Sequence, residues 1–123
     1  MSHMSSDDPL VIAIDSSTTS TKAIVVDTQG NVISLGRREI ALLSPEQGFG
    51  EHDPRQWWTS THEAVGEAVG KLTPAEKERI AAFGITHQRE SFAPFTADGT
   101  PLRNGILWLD IRAADQILRY GTP

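Results

Sequence analysis

Residues 12–27 constrain the fold most: two short apolar segments are joined by a turn rich in hydroxyl side chains. Both segments consist of β-branched or small residues, which is typical of buried strands. Asp15 stands where the first segment ends, and Lys22 supplies a positive charge where the second begins. A carboxylate in that position can hold a hydrated magnesium ion, while the N–H groups and hydroxyls of the turn can face phosphate oxygens. The pattern therefore predicts a phosphate-binding hairpin, with an ordinary polar turn as the alternative.

The composition narrows the class of protein. The 123 residues and the hydrophobic fraction of 38% suit a single domain with one core. A net charge of −5 gives no general attraction for nucleic acid or an anionic membrane. Because the chain has no cysteine, a disulfide framework and a thiolate zinc site are both excluded. We therefore expect a cytoplasmic protein with no nucleic-acid partner and no membrane partner.

A third strand is predicted after the hairpin. Residues 32–35 and 39–43 are rich in strand-forming side chains, and Gly36 between them suggests a bend. Three consecutive strands with tight connections predict an antiparallel meander.

Two helices are predicted after a loop rich in glycine and proline. The first has Asp53 as its N-cap and Pro54 at its first position, and we expect it to run to about Leu72. Its predicted core-facing side chains are Trp58, Ala64, Val65, Ala68, Val69 and Leu72. Thr73 and Glu76 form a capping box, so a second, short helix is expected to follow.

The rest of the chain predicts a further strand, a hairpin and a last helix. Residues 80–86 are almost continuously apolar and predict a strand buried on both faces, parallel to an earlier strand because helices connect the two. Residues 91–96 and 106–109 flank an Asp-Gly pair, a strong hairpin signal, and residues 112–120 have helical composition. The predicted fold is therefore α/β. Its mixed sheet consists of a three-strand antiparallel meander and at least one parallel strand, and helices pack on this sheet.

Four motifs carry the functional signal. They are Asp15-Ser-Ser-Thr-Thr-Ser-Thr-Lys22, Gly50-Glu-His-Asp-Pro54 with Trp57-Trp58, Gly84-Ile-Thr-His-Gln-Arg-Glu90, and Ile106-Leu-Trp-Leu-Asp110 with Arg112-Ala113. In this order and at this spacing they resemble the amino-terminal domain of the FGGY carbohydrate kinases. The Gln-Arg-Glu triplet is most similar to glycerol kinases, whereas the Leu-Trp-Leu-Asp segment is closer to pentulose kinases. The resemblance therefore leaves both substrate types open.

The resemblance implies a ribonuclease H-like fold, shared with actin and hexokinase, in which two domains close over ATP and a polyol or ketose. Asp15 would position Mg²⁺, in keeping with its place at a strand end. Thr18 and Thr19 would contact the phosphates of the nucleotide, and Lys22 would neutralise charge during phosphoryl transfer. The implied cofactors are ATP and Mg²⁺. The chain has neither a Walker A sequence nor a Gly-x-Gly-x-x-Gly motif, so a P-loop or Rossmann site has no support.

The resemblance also implies a substrate site. Arg89 and Glu90 supply forked donors and two acceptors, which suit the neighbouring hydroxyls of a polyol. Gln88 belongs to the same predicted site, and Trp108 would offer an apolar wall to the carbon skeleton. Taken without the resemblance, the triplet would be read as a surface ion pair or a polar loop.

Other conspicuous residues are predicted to be structural. Asp110 and Arg112 are expected to cap or brace the last helix, although the resemblance to pentulose kinases would place them near the sugar pocket. His52, His62 and His87 have no close metal-ligand spacing, so we expect structural or surface histidines.

The chain lacks one part that a kinase needs. Phosphoryl transfer to a hydroxyl requires a residue to accept the proton, and the resemblance places that aspartate beyond Pro123. We therefore interpret residues 1–4 as an expression-tag remnant and residues 5–123 as the first part of a truncated kinase domain that is inactive alone. Truncation is expected to expose a sheet edge through which the fragment self-associates, and the parent protein is expected to be a homo-oligomer.

Two other function classes remain open. A sugar-binding pseudokinase or regulator would keep Arg89, Glu90 and Trp108 but lack the later aspartate. An actin-like or chaperone-like ATPase would share the phosphate hairpin but has no reason to carry the Gln-Arg-Glu triplet.

Overall fold

The structure is a computed structural model that describes residues 7–121. The predicted tag remnant at residues 1–4 and the terminal Pro123 lie outside the described residues. The chain divides into two units. The first unit combines the chain up to Ile40 with Trp57–His87, and the second combines Ala41–Gln56 with the chain from Gln88 onward.

Strands and helices follow the predicted order. In chain order they are β1 (Leu10–Ser16), β2 (Ser20–Val26), β3 (Val32–Glu39), β4 (Glu51–His52), α1 (Arg55–Gly70), α2 (Pro74–Glu78), β5 (Ile80–His87), β6 (Gly105–Ile106) and α3 (Ala114–Tyr120). The predicted capping box is confirmed, because the side chains of Thr73 and Glu76 each bond the backbone N–H of the other. None of the helices between residues 7 and 121 is long and apolar enough to cross a membrane.

The first unit contains a mixed four-stranded sheet in the order β3-β2-β1-β5. β1 and β2 pair antiparallel, as do β2 and β3, so the predicted meander is confirmed. β5 pairs parallel with β1. This follows from the helical connection, because a strand reached through helices returns in the same direction.

α1 packs closely against one face of this sheet. The buried apolar residues of the unit are Leu10, Ile12, Ile14, Ala23, Val25, Ala64, Ala68 and Leu72. On the helix, Ser60, Ala64 and Ala68 are buried, four residues apart, so the contact is made by small side chains. The Ser34 hydroxyl on β3 donates to the carbonyl of Ala68 at 2.8 Å. The prediction of Trp58 as a core residue is wrong: its side chain is 72% exposed, because the buried face of α1 is the one that carries Ser60, Ala64 and Ala68, and Trp58 lies to the side of that face.

The third strand is shorter than predicted at its carboxyl end. β3 continues through Gly36 and ends at Glu39, whereas the predicted strand reached residue 43. Gly36 lies at the helix contact, where an added Cβ would collide with the backbone carbonyl of Ala64. The glycine therefore serves close packing. Leu42 and Leu43 are exposed.

The prediction that β5 is buried on both faces is wrong. β5 is an edge strand of the sheet within residues 7–121 and pairs only with β1. Its register places Phe83 and Ile85 beside Ile12 and Ile14, on the face that carries α1. Phe83 is nevertheless 73% exposed, because within β5 only Ile80, at the start of the strand, packs against the core.

The second unit has little regular structure. β4 pairs antiparallel with β6, and Phe92 forms an isolated bridge with Ile106. The predicted Asp-Gly turn is confirmed: the N–H of Thr96 donates to the carbonyl of Thr100, and Gly99 has a φ of 84°. The prediction of two full strands around that turn is wrong, because these flanks meet only in isolated bridges.

We predict that Gly36→Ala lowers the free energy of unfolding by about 2–3 kcal/mol, since the added methyl group overpacks the contact between β3 and α1. Gly66→Ala is the matched control: this glycine lies in α1 with open space around its Cα, and alanine there should raise stability by about 0.5–1 kcal/mol. Urea unfolding followed by circular dichroism measures both. Equal stability of the two variants would contradict the packing described here.

Candidate functional site

The predicted phosphate hairpin is a tight connection between β1 and β2. The N–H and the hydroxyl of Ser17 both donate to the carbonyl of Ser20, at 2.9 and 2.8 Å. Thr18 and Thr19 form the tip between them, and Thr19 is exposed. The carbonyl of Thr19 accepts a hydrogen bond from the N–H of Ile40 at 2.9 Å. Hydrogen bonds from Ser17 and Ile40 therefore fix the turn, and Thr18 and Thr19, the two predicted phosphate-binding residues, lie at its tip.

Strand registers place three polar side chains in one row. Asp15 lies opposite Lys22 in the antiparallel pair and beside Thr86 in the parallel pair. Successive side chains of a strand alternate between faces, and the neighbours Ile14 and Ser16 are buried. The row therefore lies on the sheet face opposite α1.

A hollow of about 250 Å³ lies on this face. It is lined by Ala13, Ile14, Asp15, Lys22, Ile24 and Thr86. Although Asp15 and Lys22 are register partners, their side chains form no ion pair. The structure thus brings two of the four predicted nucleotide-site residues together in one hollow. Thr86 was missed as a site residue, although its position at the end of the predicted parallel strand could have indicated it.

Metal binding on this face would depend on Asp15. Within the described part of the chain, no group of three or more His, Asp or Glu side chains is placed to hold a metal ion. A single exposed carboxylate suits Mg²⁺, which keeps most of its waters and binds proteins through one or two carboxylates. The Asp15 carboxylate therefore suits a magnesium ion that keeps most of its bound water. It is not enough to bind a cation that needs several protein ligands.

The second unit contains a hollow of about 260 Å³. It is lined by Gln88, Arg89, Glu90 and Trp108. All four predicted substrate-binding residues therefore meet at one place, although eighteen positions separate Glu90 from Trp108 in the chain. No ion pair involves Arg89 or Glu90 among residues 7–121, so the ion-pair interpretation of the triplet is not supported.

The backbone at the triplet is unusual. Glu90 has a φ of 64°, and within residues 7–121 it is the only residue other than glycine in the left-handed region. Such a conformation is uncommon for a residue with a long side chain and costs about 1–3 kcal/mol. Strained backbone of this kind is enriched at ligand-binding sites, because the surrounding structure must hold it in place.

A buried charge cluster lies next to Trp108 in the chain. The Arg112 guanidinium donates to both carboxylate oxygens of Asp110, at 2.9 and 2.7 Å, and to Glu51 at 2.6 Å. It also lies over the Phe49 ring, 3.8 Å from the centroid. The Asp110 side chain is 1% exposed and accepts a further bond from the N–H of Gly50. These contacts connect the segment after Trp108 to β4.

The charged groups of this cluster shift the pKa values of one another. Hydrogen bonds from Arg112 hold the pKa of Asp110 far below its usual value, against the opposing effect of burial. The same guanidinium lowers the pKa of Glu51, with smaller contributions from Asn104 and Arg103. The two carboxylates in turn raise the pKa of Arg112, Asp110 contributing most. All three groups are therefore charged at neutral pH.

Of the two roles predicted for Asp110 and Arg112, capping or bracing the last helix, the cap is wrong. The N-cap of α3 is Ala113, which makes no side-chain cap hydrogen bond. Asp110 and Arg112 instead brace the backbone around β4 through Glu51. Sequence reasoning missed Glu51, because nothing local relates it to residues about sixty positions away. Of the predicted structural histidines, His52 is fully buried, whereas His62 and His87 are exposed.

Comparison with known proteins gives a family match. Residues 10–120 match the model of the N-terminal domain of the FGGY family of carbohydrate kinases. The chain is 40% identical over 103 residues to a glycerol kinase from Beutenbergia cavernae, an alignment that covers 83% of this chain and 20% of that protein. The chain spans about a fifth of the length of the curated relatives it matches.

Solved structures show the same fold. A xylulose kinase from Rhodospirillum rubrum superposes with a TM-score of 0.84 at 29% identity, over 89% of this chain and 22% of that one. Plasmodium falciparum glycerol kinase with ADP gives a TM-score of 0.76 at 28% identity, over 93% of this chain and 23% of that one. The fold is therefore the predicted actin- and hexokinase-like one.

Removing the cation of the charge cluster gives a pH-dependent prediction. Arg112→Met leaves two buried carboxylates without their main partner, so the variant should unfold at lower urea than the wild type at pH 7. In the wild type the lowered pKa values of Asp110 and Glu51 stabilise the fold above the ordinary values of 3.8 and 4.5, and this contribution is lost as the pH falls further. In the variant the same carboxyls are expected to take up protons in the folded state, so its deficit should shrink between pH 7 and pH ~4.5.

Arg37→Met is the matched control, because the ion pair of the Arg37 side chain, with Glu39 at 3.7 Å, is exposed to solvent. It should unfold at the same urea concentration as the wild type at both pH values. A deficit for Arg112→Met that is the same at both pH values would contradict the assignment.

Proposed function

The chain belongs to the FGGY family of carbohydrate kinases, and from this premise we propose that it is part of an enzyme that transfers a phosphoryl group from ATP to a hydroxyl of a small polyol or ketose. The observation that carries the proposal is the hollow of the second unit, where residues 88–90 meet Trp108. Relatives that match at 38–40% identity are glycerol kinases, so we place a glycerol-type triol first and a pentulose second.

The chemistry of this hollow suits a polyol. Each hydroxyl of a polyol both donates and accepts hydrogen bonds. Arg89 provides only donors and Glu90, when ionised, provides only acceptors, so the pair can bond two neighbouring hydroxyls. Trp108 is more than half exposed and provides an apolar surface for the C–H groups of the carbon chain. A hollow of about 260 Å³ has room for either a triol or a pentulose.

The first unit is proposed to bind the nucleotide. Thr18 and Thr19, at the end of the hairpin, would contact phosphate oxygens, and Lys22 would offset their negative charge. Asp15 would hold Mg²⁺ through water. When bound, the ion neutralises charge on the phosphates and orients them for transfer. Support comes from the shared hollow of Asp15 and Lys22, in which neither charge is consumed by the other.

Residues 1–123 alone are proposed to be inactive. The two carboxylates that line the hollows already have proposed roles, since Asp15 would hold Mg²⁺ through water and Glu90 would bind the polyol. We propose that the general base comes from a part of the full-length protein outside these residues.

A regulator that binds a sugar without catalysis would keep the substrate hollow but show no turnover, so an assay of the full-length protein separates the two functions.

Variants of the full-length protein test the substrate site. Arg89→Met and Glu90→Gln should each raise KM for the polyol about 10- to 100-fold, the range expected for a hydrogen bond to a charged group. KM for ATP should change less than about twofold, because the nucleotide contacts are unaffected. A coupled ADP-release assay with glycerol and with D-xylulose measures both values, and residues 1–123 alone should show no turnover.

Glu78→Gln, on the exposed surface of α2, is the control and should behave as the wild type. Unchanged polyol KM values in Arg89→Met and Glu90→Gln would refute the assignment of the hollow. Turnover by residues 1–123 comparable to that of the full-length protein would refute the proposal that the base lies elsewhere.

We also propose that residues 1–123 self-associate through the outer edge of β5. An edge strand presents unpaired N–H and C=O groups that can pair with a second copy. No charged residue lies between Ile80 and His87 to oppose this. The other edge, β3, is protected, because Arg37 and Arg38 lie on it and Lys71 donates to the carbonyl of Leu35 at 2.6 Å.

A charge placed on β5 should therefore weaken association. Ile85→Lys is expected to shift residues 1–123 toward monomer in size-exclusion chromatography with light scattering, whereas Val32→Lys, on the protected edge, should leave the association unchanged. Wild-type residues 1–123 that stay monomeric at high concentration would contradict the proposal.

A further inference from the structure

The proposed substrate hollow is built from two stretches of chain, and one hydroxyl connects them. Ser91 follows the Gln-Arg-Glu triplet directly. Its Oγ donates to Oε1 of Gln88 at 3.2 Å and accepts from the backbone N–H of Trp108 at 3.1 Å. Ser91 is half-buried and is not among the residues that line the hollow. It therefore acts on the hollow through its neighbours.

These hydrogen bonds also set the orientation of the Gln88 amide. Its Nε2 lies 3.4 Å from Nδ1 of His52, a residue that is 0% exposed in β4. Because Oε1 accepts from Ser91, Nε2 is the atom that faces the histidine and donates to it. In this orientation of the amide, Nδ1 of His52 is the acceptor. The side chain of Gln88 is thus held at both ends of its amide.

Backbone pairing brings Ser91 to this position. The N–H of Phe92 donates to the carbonyl of Ile106 at 3.1 Å, and the N–H of Ile106 donates back at 2.9 Å. This pair aligns the residue before Phe92 with the segment that leads to Trp108. Glu90, whose backbone is left-handed, directly precedes Ser91 in the chain. Ser91 therefore stands where the strained turn of the triplet meets the tryptophan segment.

We propose that Ser91 is a positioning residue for the polyol: its hydroxyl sets the spacing between Trp108 and the Gln-Arg-Glu triplet. The inference rests on the proposed function of this hollow. A serine hydroxyl can donate once and accept twice, so it can serve both partners at the same time. Replacing Ser91 by alanine would remove its hydrogen bonds to the N–H of Trp108 and to Oε1 of Gln88. The distance between Trp108 and the triplet would then no longer be fixed by this hydroxyl.

Kinetics of the full-length protein test this inference. Ser91→Ala should raise KM for glycerol or D-xylulose about tenfold, the factor expected for the loss of one or two neutral hydrogen bonds. kcat and KM for ATP should change less than about twofold. Ser91→Thr retains the hydroxyl and should restore KM to near the wild-type value. Ser44→Ala is the control, since its hydroxyl bonds only the carbonyl of Glu46 in an exposed loop.

The outcomes separate this inference from the proposed function. Wild-type protein that phosphorylates neither glycerol nor D-xylulose would overturn the proposed function, and the role of Ser91 with it. Active wild type with an unchanged polyol KM in Ser91→Ala, or with equal impairment in Ser91→Thr, would overturn the role of Ser91 alone. If Ser91→Ala melts far below the wild type, Ser91→Cys replaces it in the comparison, because a thiol is a weak hydrogen-bonding group.

Discussion

The Arg112 guanidinium, held between Asp110 and Glu51, makes the contacts on which the shape of the proposed substrate hollow depends. A buried cation between two carboxylates adds little net stability but specifies one arrangement of the chain, because each charge would be costly without the others. Asp110 immobilises the segment after Trp108, and Glu51 lies next to His52 in β4. His52 in turn contacts Gln88. β4 therefore contacts both chain segments that line the hollow, residues 88–90 through His52 and the Trp108 segment through Glu51.

In the first unit, close packing of α1 has a different consequence. Small residues on the helix let it approach the sheet and bury one face of β1 and β2. Alternation along those strands then leaves Asp15 and Lys22 on the opposite face, with Thr86 beside them. The polar row is accessible because the apolar side chains of the same strands pack into the core on the other face.

Local patterns predicted much of this structure. The meander, the parallel strand, the capping box and the Asp-Gly turn depend on residues close together in sequence, and all are confirmed. The burial of Trp58 and of β5 was predicted wrongly, since it depends on which face of α1 meets the sheet and on how far the helix extends. Glu51 and Ser91 could not be found, because Glu51 bonds Arg112 about sixty positions away and Ser91 connects to Trp108 through a backbone N–H. By contrast, the order of the motifs identified all four residues that line the proposed substrate hollow.

The central claim is that this hollow binds a polyol. The most direct test is a crystal structure of the full-length protein with glycerol bound. We expect two neighbouring hydroxyls to bond Arg89 and Glu90, with the carbon chain against the Trp108 ring. Glycerol bound at full occupancy elsewhere, with this hollow holding only water, would contradict the account.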